Sequence, residues 1–118
     1  MINDASKTAI GSQPVKTAKR RQFFVSRHQG AIDWALKQHW SIDAEFLYHL
    51  DLARVEPGDT VIGTLPVHLA AAVCARGANY LHLSIELSAQ QRGQELTAAE
   101  LDAAGAHLVH YRVLVERF

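Results

Sequence analysis

The chain has one cysteine, Cys74, so it cannot close an internal disulfide. That thiol falls among alanines on a predicted helix, where a buried, inert role is expected and no catalytic signal is carried. No apolar run approaches the roughly 20 residues needed to cross a bilayer. The opening Met1-Ile2-Asn3-Asp4 lacks the charged-then-apolar order of a secretory signal, so a cytoplasmic protein with no membrane partner is expected. There is no Walker loop, and Gly30 stands alone rather than in a dinucleotide fingerprint, which argues against nucleoside triphosphate and nicotinamide chemistry. The clustered acids of a phosphoacceptor receiver are missing as well. Seven histidines are scattered without the His/Cys spacing of a zinc site, so no metal or other cofactor is expected. His39, His49, His107 and His110 read as surface or structural side chains.

Net charge is also lacking, at +0, but the balance is uneven along the chain. Residues 1–21 hold Lys7, Lys16, Lys19, Arg20 and Arg21 against Asp4 alone, while the rest carries seven basic and eleven acidic side chains. A mildly acidic body opposes broad binding to DNA or RNA, which needs a basic face to release counterions. The first 21 residues have no hydrophobic periodicity and contain Gly11, Ser12 and Pro14, so they read as a flexible basic arm, and residues 22–118 as the folded domain. At 118 residues and 48% hydrophobic content, one domain with one core is expected.

What is present is an alternation of element types. Gln22 to Ser26 reads as a strand, and about His28 to Gln38 as a helix with Ile32, Ala35 and Leu36 on its inner face. Strands follow at Glu45 to Leu50 and Thr60 to Gly63, separated by the turn signal Pro57-Gly58-Asp59. Leu65-Pro66-Val67 opens a small-residue helix that Gly77 caps after Arg76. Tyr80 to Leu87 alternates cleanly, with Leu81, Leu83, Ile85 and Leu87 on one side and Tyr80, His82, Ser84 and Glu86 on the other. A polar loop from Ser88 to Glu95 precedes the capping box Thr97-Ala98-Ala99-Glu100, a helix to Ala104, and a last strand at His107 to Val115. The order predicts a three-layer α/β domain of Rossmann-like or flavodoxin-like style with a mainly parallel sheet.

In such a sheet the carboxyl ends of the strands share one edge, where ligands bind. The most informative stretch lies there: Phe23-Phe24-Val25 breaks into Ser26-Arg27-His28-Gln29-Gly30, then resumes at helical spacing. A hydroxyl, a guanidinium, an imidazole and helix N–H groups converge at that junction in a way that suits phosphate. Gly63, Thr64, Leu65 and Pro66 follow the third strand, and His68 sits in the first turn of the next helix, facing either the ligand or solvent. Ser84 and Glu86 end the fourth strand, and the loop adds Gln90, Gln91, Arg92 and Glu95. Helix capping selects the same small polar residues, so Ser26 and Thr64 keep both readings.

The stretches Phe24-Val25-Ser26-Arg27-His28-Gln29-Gly30-Ala31-Ile32-Asp33-Trp34-Ala35, His49-Leu50-Asp51, Pro57-Gly58-Asp59-Thr60-Val61-Ile62-Gly63-Thr64-Leu65-Pro66, Tyr80-Leu81-His82-Leu83 and Arg92-Gly93-Gln94-Glu95-Leu96 resemble a family of small CRISPR-associated accessory proteins of type III systems. The resemblance covers about residues 23–112 and leaves out the basic arm. It implies a Rossmann-like relative of CARF domains, which bind cyclic oligoadenylate messengers; some members are described as ring nucleases that cleave them, and cyclic tetra-adenylate is the ring expected here. On that reading the substrate's own 2′-hydroxyl attacks its neighbouring phosphorus without a metal, and the protein positions and stabilises. Arg27 would meet the charge of the transition state, His28 would act as general base or acid, and Ser26 and Thr64 would orient phosphate oxygens. Gly30, Gly63, Leu65, Pro66, His68, Ser84, Glu86 and Arg92 complete the expected ligand-binding set, with Arg92 closing over the ring. A ring of two-fold symmetry also implies a homodimer with its site across the axis. A non-catalytic binder of the messenger and an RNA-binding accessory acting through the arm remain as alternatives.

Overall fold

Phe23 and Phe24 are adjacent in sequence and each only 1% exposed, which a strand permits only when both of its faces are covered. The computed structural model, which describes residues 20–117, supplies both covers. Strand β1 (Gln22–Val25) pairs in parallel with β2 (Ala44–Leu47) on one side and β3 (Thr60–Gly63) on the other. Strand β4 (Asn79–Ser84) continues in parallel beside β3, and β5 (His107–Tyr111) closes the edge antiparallel to β4. The strand order is therefore β2-β1-β3-β4-β5.

Helices α1 (Gln29–Leu36) and α3 (Ala98–Ala103) cover one face, where Phe24, Trp34, Ala35, Ile62, Leu83 and Leu101 form one half of the core. Helix α2 (Val67–Ala75), through Ala70 and Val73, and the connection through Val55 cover the other, packing on Phe23, Val61 and Tyr80. The small residues of α2 are explained by this packing, since Ala70 and Ala71 are buried against the sheet. The three-layer α/β domain with a mainly parallel sheet is thus the observed fold.

Several elements depart from their sequence expectation for identifiable reasons. Leu36 is 59% exposed instead of facing the core, because the inner face of α1 runs through Gly30, Trp34 and Ala35, and the helix ends at Leu36. Trp34 also ties the two helices together by donating from Nε1 to Asp102 Oδ1 at 3.0 Å. Strand β4 stops at Ser84 rather than Leu87: its partner β5 starts at His107 opposite Ser84, and the Glu86 N–H turns to the Ala104 carbonyl. The capping box at Thr97 and Glu100 forms as its spacing predicts.

The expected arm falls, up to residue 19, outside the described residues. Arg21, at its inner end, is built into the fold. Its backbone N–H donates to Asp59 Oδ1 at 3.0 Å, its guanidinium reaches Asp59 Oδ2 and the Arg54 carbonyl, and it lies 5.2 Å from the Phe23 ring centroid. Asp59, 2% exposed, also accepts from the Glu56 N–H, so a buried carboxylate is held by three donors.

Gly30 lies where α1 meets the chain entering α3, and a Cβ there would stand 1.6 Å from the Leu96 carbonyl oxygen. Gly30→Ala is therefore expected to lower unfolding stability by about 1–3 kcal/mol, as overpacking against backbone does, measured by urea denaturation. An unchanged midpoint would show that the two segments separate freely.

Candidate functional site

Four parallel strands end on one edge, and the order reverses between β1 and β3, because the chain leaves β1 toward β2 and later returns to β1's other side. That reversal opens a crevice beyond the strand ends. A cleft of about 460 Å³ lies there, within the roughly 300–1,000 Å³ range of small-molecule sites. Its apolar lining comes from Phe24, Leu83, Ile85, Leu87, Leu96 and Leu101. The rim is polar, with Ser26, His28, Thr64, His82, Ser84, Gln94 and Glu95.

Ser26, His28, Gly63, Thr64 and Ser84 of the expected set line this cleft. Ser26 begins it as a local turn, its hydroxyl accepting from the His28 N–H at 3.1 Å, which aims the chain into α1. His28 crosses the mouth, its Nδ1 2.6 Å from Glu95 Oε2 on the loop after β4, with both side chains about 70% exposed. A pair so exposed joins the loop to the helix entrance but adds little to stability. Arg27, His68, Glu86 and Arg92 are exposed and stand outside the lining. Gly30 is turned into the Leu96 backbone, Pro66 caps α2, and the Leu65 side chain packs on the core beneath α2.

Gly63 sits in register between Val25 and His82. A Cβ on it would come within 2.6 Å of the Val25 carbonyl oxygen, so this strand end stays narrow only with glycine. Beside it are side chains that sequence reasoning did not assign to the site: Tyr80, His82 and Tyr111. The Tyr80 hydroxyl accepts from the Leu65 N–H at 2.8 Å, lies 3.2 Å from the Gly63 carbonyl oxygen and 2.7 Å from His82 Nδ1. The His82 ring stands edge-on between the two phenol rings, with centroids 5.8 Å from each. The signal was available in the alternation of Asn79 to Ser84, which puts Tyr80, His82 and Ser84 on one side. Among the described residues, no three His, Cys, Asp or Glu side chains group as metal ligands.

Burial pushes the Tyr80 phenol above the usual tyrosine range, partly offset by the Leu65 N–H it accepts from. A raised folded pKa means the protonated phenol contributes stability that is complete below the unfolded value and lost as pH rises through the folded one. Spectrophotometric titration of the three tyrosines is expected to show one late component that Tyr80→Phe removes. A Tyr80→Phe curve superposing on the wild type would contradict the buried network.

No helix among the described residues is long and apolar enough to cross a membrane. No curated protein and no solved structure matches the chain. A family model does match, over residues 23–114, and takes in all three helices and all five strands but for Gln22 at the start of β1. The chain belongs to the family described as "Putative CRISPR-associated protein (Cas_VVA1548)".

Proposed function

We propose that this protein binds a cyclic oligoadenylate at the edge cleft and opens the ring, ending a type III CRISPR signal. The observation that carries the reading is the pairing, in one cleft, of an apolar lining for a purine with a rim of hydroxyl and imidazole groups for ribose and phosphate. Membership of a CRISPR-associated family supports it.

Each linkage of such a ring carries its own nucleophile, a 2′-hydroxyl next to the phosphorus. The protein's task is to hold that hydroxyl in line and to stabilise charge on the phosphoryl oxygens. Ser26 and Thr64 line the cleft near the start of α1, and their hydroxyls together with the helix N–H groups would orient phosphate oxygens. Arg27 and Arg92 are exposed and lie outside the cleft lining, so a ring that extends beyond the cleft would have to reach them. At about 460 Å³ the cleft is the size of a site for part of a ring, so two copies about a two-fold axis would match the related nucleotides of cyclic tetra-adenylate.

Incubation with cyclic tetra-adenylate in EDTA, with products read by mass spectrometry, is expected to give linear fragments with 2′,3′-cyclic phosphate and 5′-hydroxyl ends. A ring that stays intact yet bound would identify a binder, and a ring that never binds would overturn both. Arg27→Ala is expected to slow cleavage by about 10²-fold, and a wild-type rate would remove Arg27 from the chemistry.

A further inference from the structure

The Tyr80 hydroxyl has one proton and two lone pairs, and three partners surround it. The Leu65 N–H can only donate to it, and the Gly63 carbonyl can only accept. One arrangement satisfies every partner: the hydroxyl donates to Gly63, and its second lone pair receives a proton from His82 Nδ1. For a neutral imidazole that arrangement requires the Nδ1–H tautomer, the reverse of the form free histidine favours. Its other nitrogen, Nε2, keeps its lone pair, and no described residue hydrogen-bonds to it. The ring cannot easily turn away, because the Tyr80 and Tyr111 rings flank it edge-on and Gly63 and Val109 are its neighbours in the sheet.

His28 offers a different chemistry. Its Nδ1 is engaged by a carboxylate across the cleft mouth, and its side chain is 68% exposed. It suits closing the mouth and contacting phosphate better than taking a proton within the cleft.

We infer that His82 Nε2 is the proton acceptor of this site and that Tyr80 is the residue that positions it. The inference rests on the proposed ring opening. In that step the 2′-oxygen forms a bond to phosphorus and its proton passes to His82 Nε2. The P–O5′ bond breaks, its electron pair leaves with O5′, and O5′ takes a proton from water at the open mouth. The imidazolium then returns its proton to solvent, so no water is consumed and the product is an isomer of the substrate linkage.

The test joins a spectroscopic and a kinetic measurement on the full chain. The ¹⁵N shifts of the His82 ring, assigned as the signal lost in His82→Gln, are expected to show a protonated Nδ1 and an unprotonated Nε2. In Tyr80→Phe they are expected to move toward the Nε2-protonated form. With cyclic tetra-adenylate in EDTA, His82→Gln is expected to lower the single-turnover rate by about 10²-fold or more while still binding the ring. Tyr80→Phe is expected to lower kcat with KM unchanged. A protonated Nε2 in the wild type, or wild-type cleavage by folded His82→Gln, overturns the assignment of His82. Intact ring with the wild-type protein overturns the cleavage reading instead, and the tautomer measurement then stands by itself.

Discussion

Burying two consecutive phenylalanines on opposite sides of one strand is the constraint from which the remaining architecture follows. Phe23 faces α2 and Phe24 faces α1 and α3, so β1 must be interior and paired on both sides. An interior parallel strand sends its chain out at one edge only. The first polar residues after it, Ser26 and His28, are therefore delivered to the same edge as Gly63 and Thr64 after β3. The Phe24 ring, packed against Trp40 and Phe46 at 6.0 and 5.4 Å between centroids, is also part of the cleft's apolar lining.

The elements whose information is local were legible in the sequence. Thr60 to Gly63 is bounded by a turn on one side and Leu65-Pro66 on the other, and the observed strand has those limits. The Thr97 and Glu100 box likewise marked the start of α3. What depends on a distant partner was not legible. Where β4 ends is set by where β5 begins, 23 residues later, and the exposure of Leu36 follows from which face of α1, through Gly30, Trp34 and Ala35, meets the core. The site divided in the same way. Ser26, His28, Gly63 and Thr64 announce themselves at strand ends, whereas Tyr80 looks like one more buried aromatic until the fold brings its hydroxyl to the Leu65 N–H and to His82.

Two histidines now frame the cleft in contrasting surroundings. His28 is water-exposed, paired to a carboxylate, and set on the segment that joins β1 to α1. His82 is half-buried within a strand, with two aromatic neighbours and one saturated phenol. The same side chain serves different purposes in these settings, because a strand holds a ring to a fixed direction and a loop does not. Placing the chemistry on β4 and the capture of ligand on the loops would separate rigid from adaptable functions within a domain of this size.

The contact between Gly30 and the Leu96 carbonyl has a further meaning for the arch of chain from β4 to α3, whose two ends line the cleft. The Glu86 N–H is fixed to the Ala104 carbonyl at one end of that arch, and Leu96 is pressed against α1 at the other. Only residues 87–95 are left to rearrange, and Gly93, at φ 79°, lies among them. Loop-closure entropy depends on the length between fixed points, so an arch anchored this closely has little conformational freedom left to lose when it settles on a ligand. In entropic terms, a side chain missing from the inner face of α1 is part of what sets the cost of covering the cleft.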